Sequence, residues 1–206
     1  MTNNRRVKQK MKNKQRNKRK LSKNEIKRKY YESAGNIKRL AAYAIDWYIT
    51  SLLVMAPVAL LYSVETGKKA LAIDIGLLSL PYAGIAFVIG FILSVFYLVY
   101  KPLKTGQTLG KKALSIKIVK MDGKDVDLKT MLIREIIGVI VIEGVMFTIS
   151  TYFHEMIAMI MHLPYSNYVA YAFMAVLVVS IIIAIIKPEK RMIHDYLAGT
   201  KVITLK

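Results

Sequence analysis

The sequence contains no cysteine, which excludes disulfide bonds, thiolate metal sites and thiol redox chemistry. Acidic residues are scarce, with 13 Asp and Glu against 32 Lys and Arg and a formal net charge of +19. Hydrophobic residues, in contrast, make up 54% of the 206 positions, more than in a typical soluble domain. A chain this apolar and this basic must keep the two properties in separate segments. An ordinary soluble globular enzyme and an acidic disordered protein are therefore excluded.

Catalytic and metal-binding patterns are also missing. The sequence shows no set of nucleophile, base and acid at a catalytic spacing, and it lacks the zinc-binding motif HExxH. Two interpretations are open for His154, Glu155 and His162. Two histidines and a glutamate at this loose spacing are a weak signal for a metal site at the outer surface, and the pattern favours an amphipathic helix at the membrane interface. We therefore expect no enzymatic activity, no catalytic residue, no cofactor and no bound metal.

Most of the positive charge lies at the N-terminus. Residues 1–29 contain 14 Lys and Arg and one acid, Glu25. Because so few apolar residues cannot offset the entropy of ordering, we predict a disordered polybasic tail over 1–35. Three roles remain open: an anchor that keeps the N-terminus in the cytoplasm, a site for anionic lipid headgroups, or an arm for a nucleic acid or acidic partner. The scarcity of aromatic residues disfavours nucleic acid.

Four stretches are long and apolar enough to cross a lipid bilayer, which takes about 20 residues. They are 40–62, 76–100, 132–152 and 165–186. The connection 101–130 holds eight lysines, whereas 153–164 has neither Lys nor Arg. By the positive-inside rule we predict an all-α membrane domain over 36–206. It is a four-transmembrane-helix bundle with both termini cytoplasmic, in a bacterial plasma membrane.

Two finer patterns lie within this domain. Ala86, Gly90 and Ser94 repeat at four-residue spacing and form a stripe of small residues that lets another helix approach closely. Residues 113–120 and 200–206 show partial alternation of apolar and polar side chains, which is typical of strands. A hairpin-like turn follows the first of them at 121–124. We expect the two strands to pair in a small cytoplasmic sheet.

Asp46 lies deep in the first predicted span, where an unpaired carboxylate costs about 2.5 kcal/mol or more. Arg39 lies two helical turns earlier on the same face, and Arg134 at the start of the third span is a candidate partner. Three roles for Asp46 stay open: a structural pair with an arginine of another helix, exchange of a proton or cation, and binding of a partner. Glu143 is the other intramembrane acid and would form a cation site with Asp46 if the fold brings them together. Arg134 and Glu143 lie on opposite helix faces.

Two motifs flank the spans. Gly106, Gly110, Lys111 and Lys112 lie in the sequence GQTLGKK, which predicts a tight cytoplasmic loop whose lysines contact lipid headgroups. Arg191 and Asp195, spaced i and i+4, are expected to form an ion pair on a helical turn, with His194 beside them.

Three segments together resemble the RDD family of bacterial membrane proteins. They are KRLAAYAID over 38–46, GQTLGKK with the following strand and the Arg134 region, and RMIHDYLAGTKV over 191–202. The family is named for one arginine and two aspartates, which here correspond to Arg39, Asp46 and Asp195. The resemblance covers about 36–206 and implies an integral membrane protein. The family's function is largely undefined: transport of unidentified ligands is proposed for it, and cation/proton antiport for some members. Four spans exceed the two or three of its minimal pattern.

Two functional hypotheses follow. In the first, the chain transports a small ion or ligand by cation/proton exchange, with Asp46 carrying the proton or ion, Arg39 or Arg134 tuning its charge and Asp195 acting at the cytoplasmic gate. In the alternative, it is a non-enzymatic accessory or regulatory subunit. That subunit docks on a membrane-protein partner or a second copy through the small-residue stripe, and on lipid or a partner through the tail.

Overall fold

The computed structural model describes Asn13 and residues 32–69, 74–143, 147–162 and 167–205. The predicted disordered tail, 1–35, lies almost entirely outside these residues. The elements, in chain order, are α1 (Asn36–Thr66), a 3-10 turn (Ile75–Leu77), α2 (Leu80–Val95), the π-helical segment π1 (Phe96–Tyr100), α3 (Lys101–Thr105), α4 (Leu109–Ala113), β1 (Ile116–Lys120), α5 (Leu128–Leu132), the π-helix π2 (Ile133–Glu143), α6 (Thr148–Ile160), α7 (Asn167–Ile186), α8 (Ile193–Leu197) and β2 (Thr200–Thr204).

Within the described residues, two helices are long and apolar enough to cross a membrane: Asn36–Thr66, and the continuous run Leu80–Thr105 that comprises α2, π1 and α3. The 31 residues of α1 extend about 46 Å at about 1.5 Å per residue, which exceeds the hydrocarbon core of about 30 Å. The first two predicted spans therefore coincide with long apolar helices. The second helix begins at Leu80, later than the predicted start at residue 76, because the preceding residues form the 3-10 turn.

The stripe of small residues on α2 packs inside the molecule. Ala86, Gly90 and Ser94 are all buried, and a Cβ added to Gly90 would lie 3.4 Å from the Cα of Val54 on α1. The stripe thus serves the contact between α1 and α2. The expectation that it docks on a separate membrane partner is wrong, because its surface is already occupied.

The third predicted span, 132–152, is not one continuous helix. π2 ends at Glu143, and Phe147 has extended backbone angles (φ −86, ψ 127) before α6 begins. The Ser150 hydroxyl donates to the Ile140 carbonyl at 2.5 Å, although residues ten apart in a straight helix are separated by about 15 Å. The chain therefore changes direction between π2 and α6. α7 forms a 20-residue helix, and four spans are not established.

The core has two parts. The larger part lies between α1, α2, π2 and α6 and contains Val54, Val58, Ala83, Ala86, Ile140, Ile149 and Tyr152. The smaller part lies under the sheet and contains Ala34, Ala42, Val99, Ile116, Ile118, Met131 and Val202.

The predicted sheet is confirmed: β1 and β2 pair antiparallel, with Ile118 opposite Val202. Residues 120–124 form a turn, in which the Gly123 amide donates to the Lys120 carbonyl. This turn does not close a hairpin, because the strand that pairs with β1 comes from the end of the chain.

Candidate functional site

The predicted charged residues form two separate buried clusters, and no single site contains them all. The first, the Asp46 cluster, joins α1 to π1 and to the GQTLGKK loop. The second, the Asp195 cluster, joins α1 and π2 to α8. Asp46 is 2% exposed and Asp195 is fully buried. Because a buried carboxylate is costly unless it is hydrogen-bonded and paired, each of the two needs donors from the protein.

Four donors surround the Asp46 carboxylate. The Tyr97 hydroxyl donates to Oδ1 at 2.6 Å and the Gly110 amide donates to Oδ1 at 3.0 Å. The Thr108 hydroxyl donates to Oδ2 at 2.5 Å, and the Lys111 Nζ lies 3.1 Å from the same oxygen. Both oxygens therefore accept two hydrogen bonds each. The predicted partnership of Asp46 with Arg39 or Arg134 is wrong, because its countercharge is Lys111.

Local sequence explains how the loop reaches Asp46. Thr108 is the N-cap of α4, and its hydroxyl also accepts from the Lys111 amide at 3.3 Å. A Cβ on Gly110 would collide with the Ala42 carbonyl oxygen and lie 2.8 Å from the Asp46 Oδ1. Only glycine lets the first turn of α4 come this close to α1. Of the other motif residues, Gly106 ends α3 and accepts from the Ile118 amide, while Lys112 is exposed.

Lys111 contradicts the prediction that the loop lysines contact lipid headgroups. Its side chain is 15% exposed and is turned toward Asp46. The physical reason is the buried carboxylate, because a buried acid attracts the nearest cation that the loop can supply. The part of that prediction that concerns Lys112 stays a prediction.

Two arginines hold the Asp195 carboxylate. Arg39 Nη2 lies 2.5 Å from Oδ2, and Arg134 contacts Oδ1 through Nε at 3.3 Å and Nη2 at 3.2 Å. The Thr200 hydroxyl donates to Oδ1 at 3.2 Å, and the Met192 amide donates to Oδ2 at 3.2 Å. The two arginines that were candidates for Asp46 thus both bind the other aspartate.

The charge on Asp195 follows from these neighbours. Its burial alone raises the pKa of the carboxyl, but positive charge on His194 in its protonated form, on Arg134 and on Arg39 outweighs burial. The pKa of Asp195 therefore lies below its ordinary value. The carboxylate is held ionised, as a buried ion pair requires.

Arg191 does not form the predicted ion pair with the Asp195 side chain. Its Nη2 donates to the Asp195 backbone carbonyl at 3.0 Å and its Nε to the Thr200 carbonyl at 2.9 Å. Its remaining Nη1 pairs with Glu189 at 3.3 Å. Arg191 precedes α8, whereas Asp195 is inside it and turns its carboxylate back toward the Met192 amide. The i, i+4 rule therefore does not apply.

Glu143 and His194 extend the Asp195 cluster into π2. His194 Nδ1 lies 2.5 Å from Glu143 Oε2, and its Nε2 lies 3.0 Å from Arg134 Nη2. The Glu143 Oε1 accepts from the His194 amide at 2.7 Å and from the Ser180 hydroxyl at 2.8 Å. Glu135 pairs with Arg134. The conjectured cation site of Asp46 with Glu143 is therefore not formed, because the two acids belong to different clusters.

Sequence reasoning missed Tyr97, Thr108, Ser180 and Thr200. Their hydroxyl groups supply four of the buried hydrogen bonds to these acids. A signal was present for Thr108, since a threonine directly before a helix is an N-cap residue and faces the amides that can bind an anion. No comparable signal marks the other three. Among the described residues, no group of three or more His, Asp or Glu could hold a metal ion.

Comparison with known proteins supplies a family. The model described as "RDD family" matches residues 33–199. "Uncharacterized protein YckC" of Bacillus subtilis (strain 168) is 28% identical over 173 residues, which cover 84% of this chain and 85% of that protein. No solved structure matches.

Proposed function

The chain belongs to the RDD family, and from that premise we propose that it is a non-enzymatic accessory or regulatory subunit of a membrane complex. In this proposal its buried charges are structural. The observation that carries it is the saturation of the two aspartates: every carboxylate oxygen of Asp46 and Asp195 accepts hydrogen bonds from protein groups. A cation site needs oxygens that face an opening for the ion, and these oxygens face donors.

The position of the cavities supports the same interpretation. One surface cavity, of about 640 Å³, is lined by apolar residues between Leu128 and Ile137. Another, of about 480 Å³, lies between residues 32–38 and Lys190. Neither is lined by Asp46, Glu143 or Asp195. Asp46 and Asp195 are 2% and 0% exposed, and contacts between elements that are this deeply buried favour a role in holding the chain together.

The proposal includes the predicted topology. Four membrane segments place both termini in the cytoplasm of a bacterial plasma membrane, so that the sheet and α8 form a cap on the inner face. Residues 1–29, with 14 Lys and Arg, bind anionic lipid headgroups, each basic residue contributing roughly 1 kcal/mol near the surface. The partner is another membrane protein or a second copy of the chain.

A second candidate is cation/proton exchange at Asp46. The observation in its favour is the nature of the countercharge. Lys111 is a lysine on a loop, and its ammonium is a point charge on a flexible stem, without the rigid fork geometry of a guanidinium. Movement of α4 would then expose Asp46 to a cation.

Flux in proteoliposomes separates the two candidates. Purified protein is reconstituted, a pH gradient is imposed, and proton movement is followed on addition of Na⁺ or K⁺. The structural proposal predicts no flux above empty liposomes from folded, inserted protein. It also predicts that Asp46→Asn lowers the melting temperature, because Lys111 loses its countercharge. Cation-dependent flux that is lost in a folded Asp46→Asn protein would overturn it in favour of exchange.

The tail is tested separately. The protein in proteoliposomes is compared with a variant in which the seven lysines within 8–23 are changed to glutamine, using vesicles with and without anionic lipid. We expect the unmodified tail to be protected from protease only by anionic vesicles, and less so at high salt. Equal protection by neutral vesicles would contradict the lipid-binding role.

A further inference from the structure

We propose that His194 is a proton-binding switch for the C-terminal segment 191–204. As a neutral imidazole it links Glu143 to Arg134, and on binding a proton it must release Arg134 and turn toward Asp195. The geometry around the ring carries this inference, which goes beyond both candidate functions and depends on neither.

The partners of His194 fix its tautomer. Arg134 Nη2 lies 3.0 Å from His194 Nε2, and a guanidinium has hydrogens to donate but no lone pair to accept with. Nε2 is therefore the unprotonated nitrogen of a neutral ring. The proton is on Nδ1, which donates to the Glu143 Oε2 at 2.5 Å. The structure thus describes a neutral histidine between a carboxylate and a guanidinium.

The charge balance favours uptake of one proton. The groups that face the ring, directly or through one neighbour, are Glu143, Arg134 and Glu135 of π2, Asp195 of α8, Arg39 and the Tyr43 phenol of α1, and Ser180 of α7. Three of them are carboxylates and two are guanidiniums. Arg191 does not add to this sum, because its own countercharge is Glu189. These five charged groups therefore carry one excess negative charge. All of them except Arg39 are 3% exposed or less. This excess attracts a proton, but the cluster as it stands cannot accept one on Nε2, which faces Arg134 Nη2. Only a rearranged cluster binds the proton, so acid favours the rearrangement.

Protonation cannot leave the contacts unchanged. A hydrogen on Nε2 points at Arg134 Nη2, so that two donors face each other. The Asp195 Oδ1 is the nearby alternative acceptor, 3.7 Å from Nε2. That oxygen already accepts from Arg134 and Thr200, and a third strong donor must displace one of them. The imidazolium therefore competes with Arg134 for Asp195.

The movement of His194 shifts the whole C-terminal segment 191–204. A Cβ on Gly138 would lie 2.5 Å from the His194 Cβ, so the backbone of α8 is packed closely on π2 and a turn of the ring toward Asp195 shifts α8 with it. Arg191 bonds the carbonyls of both Asp195 and Thr200. Residues 191–200 are thereby tied together, and β2 follows directly. A shift of α8 on proton binding loosens the pairing of β2 with β1.

The first test uses the unmodified protein. The full chain is labelled with ¹⁵N-histidine in nanodiscs, and the ring nitrogens are followed by NMR, with His194→Gln used only to assign the signal. We expect a neutral ring protonated on Nδ1 at high pH and an imidazolium at low pH. The proposal is overturned by a neutral ring protonated on Nε2. It is also overturned by a ring that keeps one protonation state over the whole range in which the protein stays folded.

The second test measures the segment itself. Because the chain has no cysteine, Val202→Cys, at a site 2% exposed, reports detachment of β2 by thiol labelling. The labelling rate of Val202→Cys is divided by the labelling rate of Met121→Cys, at a site 41% exposed. This division removes the dependence of both rates on the ionisation of the thiol. On acidification over the range in which the protein stays folded, we expect the ratio to rise about tenfold, the size expected for one lost charged hydrogen bond.

A matched pair of controls separates the switch from general acid loosening. Added to the reporter, His154→Gln should keep the rise in labelling, and His194→Gln should abolish it, since an amide does not titrate in this range. A rise that persists in a folded His194→Gln protein would overturn the proposal, as would a flat ratio in the unmodified background.

Discussion

Arg39 and Asp195 form an ion pair with 2.5 Å between Nη2 and Oδ2, although 156 residues separate them in the chain. The start of the first long helix is thereby joined to the short helix near the end of the sequence. Arg134 contacts the same carboxylate from π2. One fully buried aspartate thus connects three elements, and its removal affects all three.

Asp195→Asn is expected to destabilise the protein strongly. It leaves the guanidiniums of Arg39 and Arg134 buried without their shared countercharge, a change that costs about 3–5 kcal/mol. Thermal denaturation in detergent measures the loss. Asp125→Asn is the matched control, because it removes an ion pair to Lys117 whose carboxylate is 79% exposed. Equal melting temperatures for the two variants would contradict the structural role of Asp195.

Gly110→Ala is expected to disrupt the Asp46 cluster without changing any charge. The added Cβ lies against Ala42 and the Asp46 carboxylate, so α4 must move away and the Gly110 and Thr108 hydrogen bonds weaken. We expect a loss of about 1–3 kcal/mol, typical of overpacking. Gly84→Ala is the control, since nothing lies within 4 Å of its added Cβ. A Gly110→Ala protein as stable as Gly84→Ala would argue against the close approach.

Gly90→Leu distinguishes an internal helix contact from an interface between chains. The side chain would push α2 away from Val54 on α1, so stability should fall by about 1–3 kcal/mol with no change in oligomeric state. Size-exclusion chromatography with light scattering and a thermal melt measure both quantities. Val88→Leu, at a position 54% exposed, should change neither. Loss of an oligomer at unchanged stability would indicate that the stripe joins two chains.

Stability should fall as pH rises from about 4.5 to about 8, because of Glu155. Burial and the hydrogen-bonded Asp74 raise the pKa of Glu155 from 4.5 to about 8. Since the folded protein then binds this proton more tightly than the unfolded chain, the stabilisation is complete below pH 4.5 and is lost as pH rises through 8. Melting temperature against pH is the measurement. Glu155→Gln should flatten this part of the curve, because an amide donates to Asp74 at any pH, and an unchanged slope would contradict the assignment.

Much of the fold follows from local patterns. Long apolar runs predict α1 and the helix that begins at Leu80, and alternation predicts β1 and β2. The break before Thr148 is not visible in this way, because residues 132–152 are mostly apolar and carry only three charges, and composition alone cannot distinguish a straight helix from a bent chain.

The residues of the site were predicted better than their partners. A charge buried in an apolar segment is conspicuous in sequence, so Asp46, Glu143, Arg134 and Asp195 could be named. Which oppositely charged residue each of them contacts depends on how the loops fold back onto the helices. Lys111, for instance, reaches Asp46 across 65 residues only because Gly110 has no side chain. The partners were therefore assigned wrongly even where the charged residues were chosen well.

The ion pair between Arg39 and Asp195 also bears on the order of biosynthesis. Because ribosomes make the chain from its N-terminus, Arg39 is synthesised long before Asp195. In the same way, β1 is synthesised before its partner strand β2. While the residues between Arg39 and Asp195 are made, the nascent chain carries an arginine that has no final partner. From residue 120 until residue 200 it also carries the unpaired edge of β1. Residues 195–204 thus supply the partners of both groups, and a nascent chain stalled before them would present its unmatched groups to chaperones and proteases.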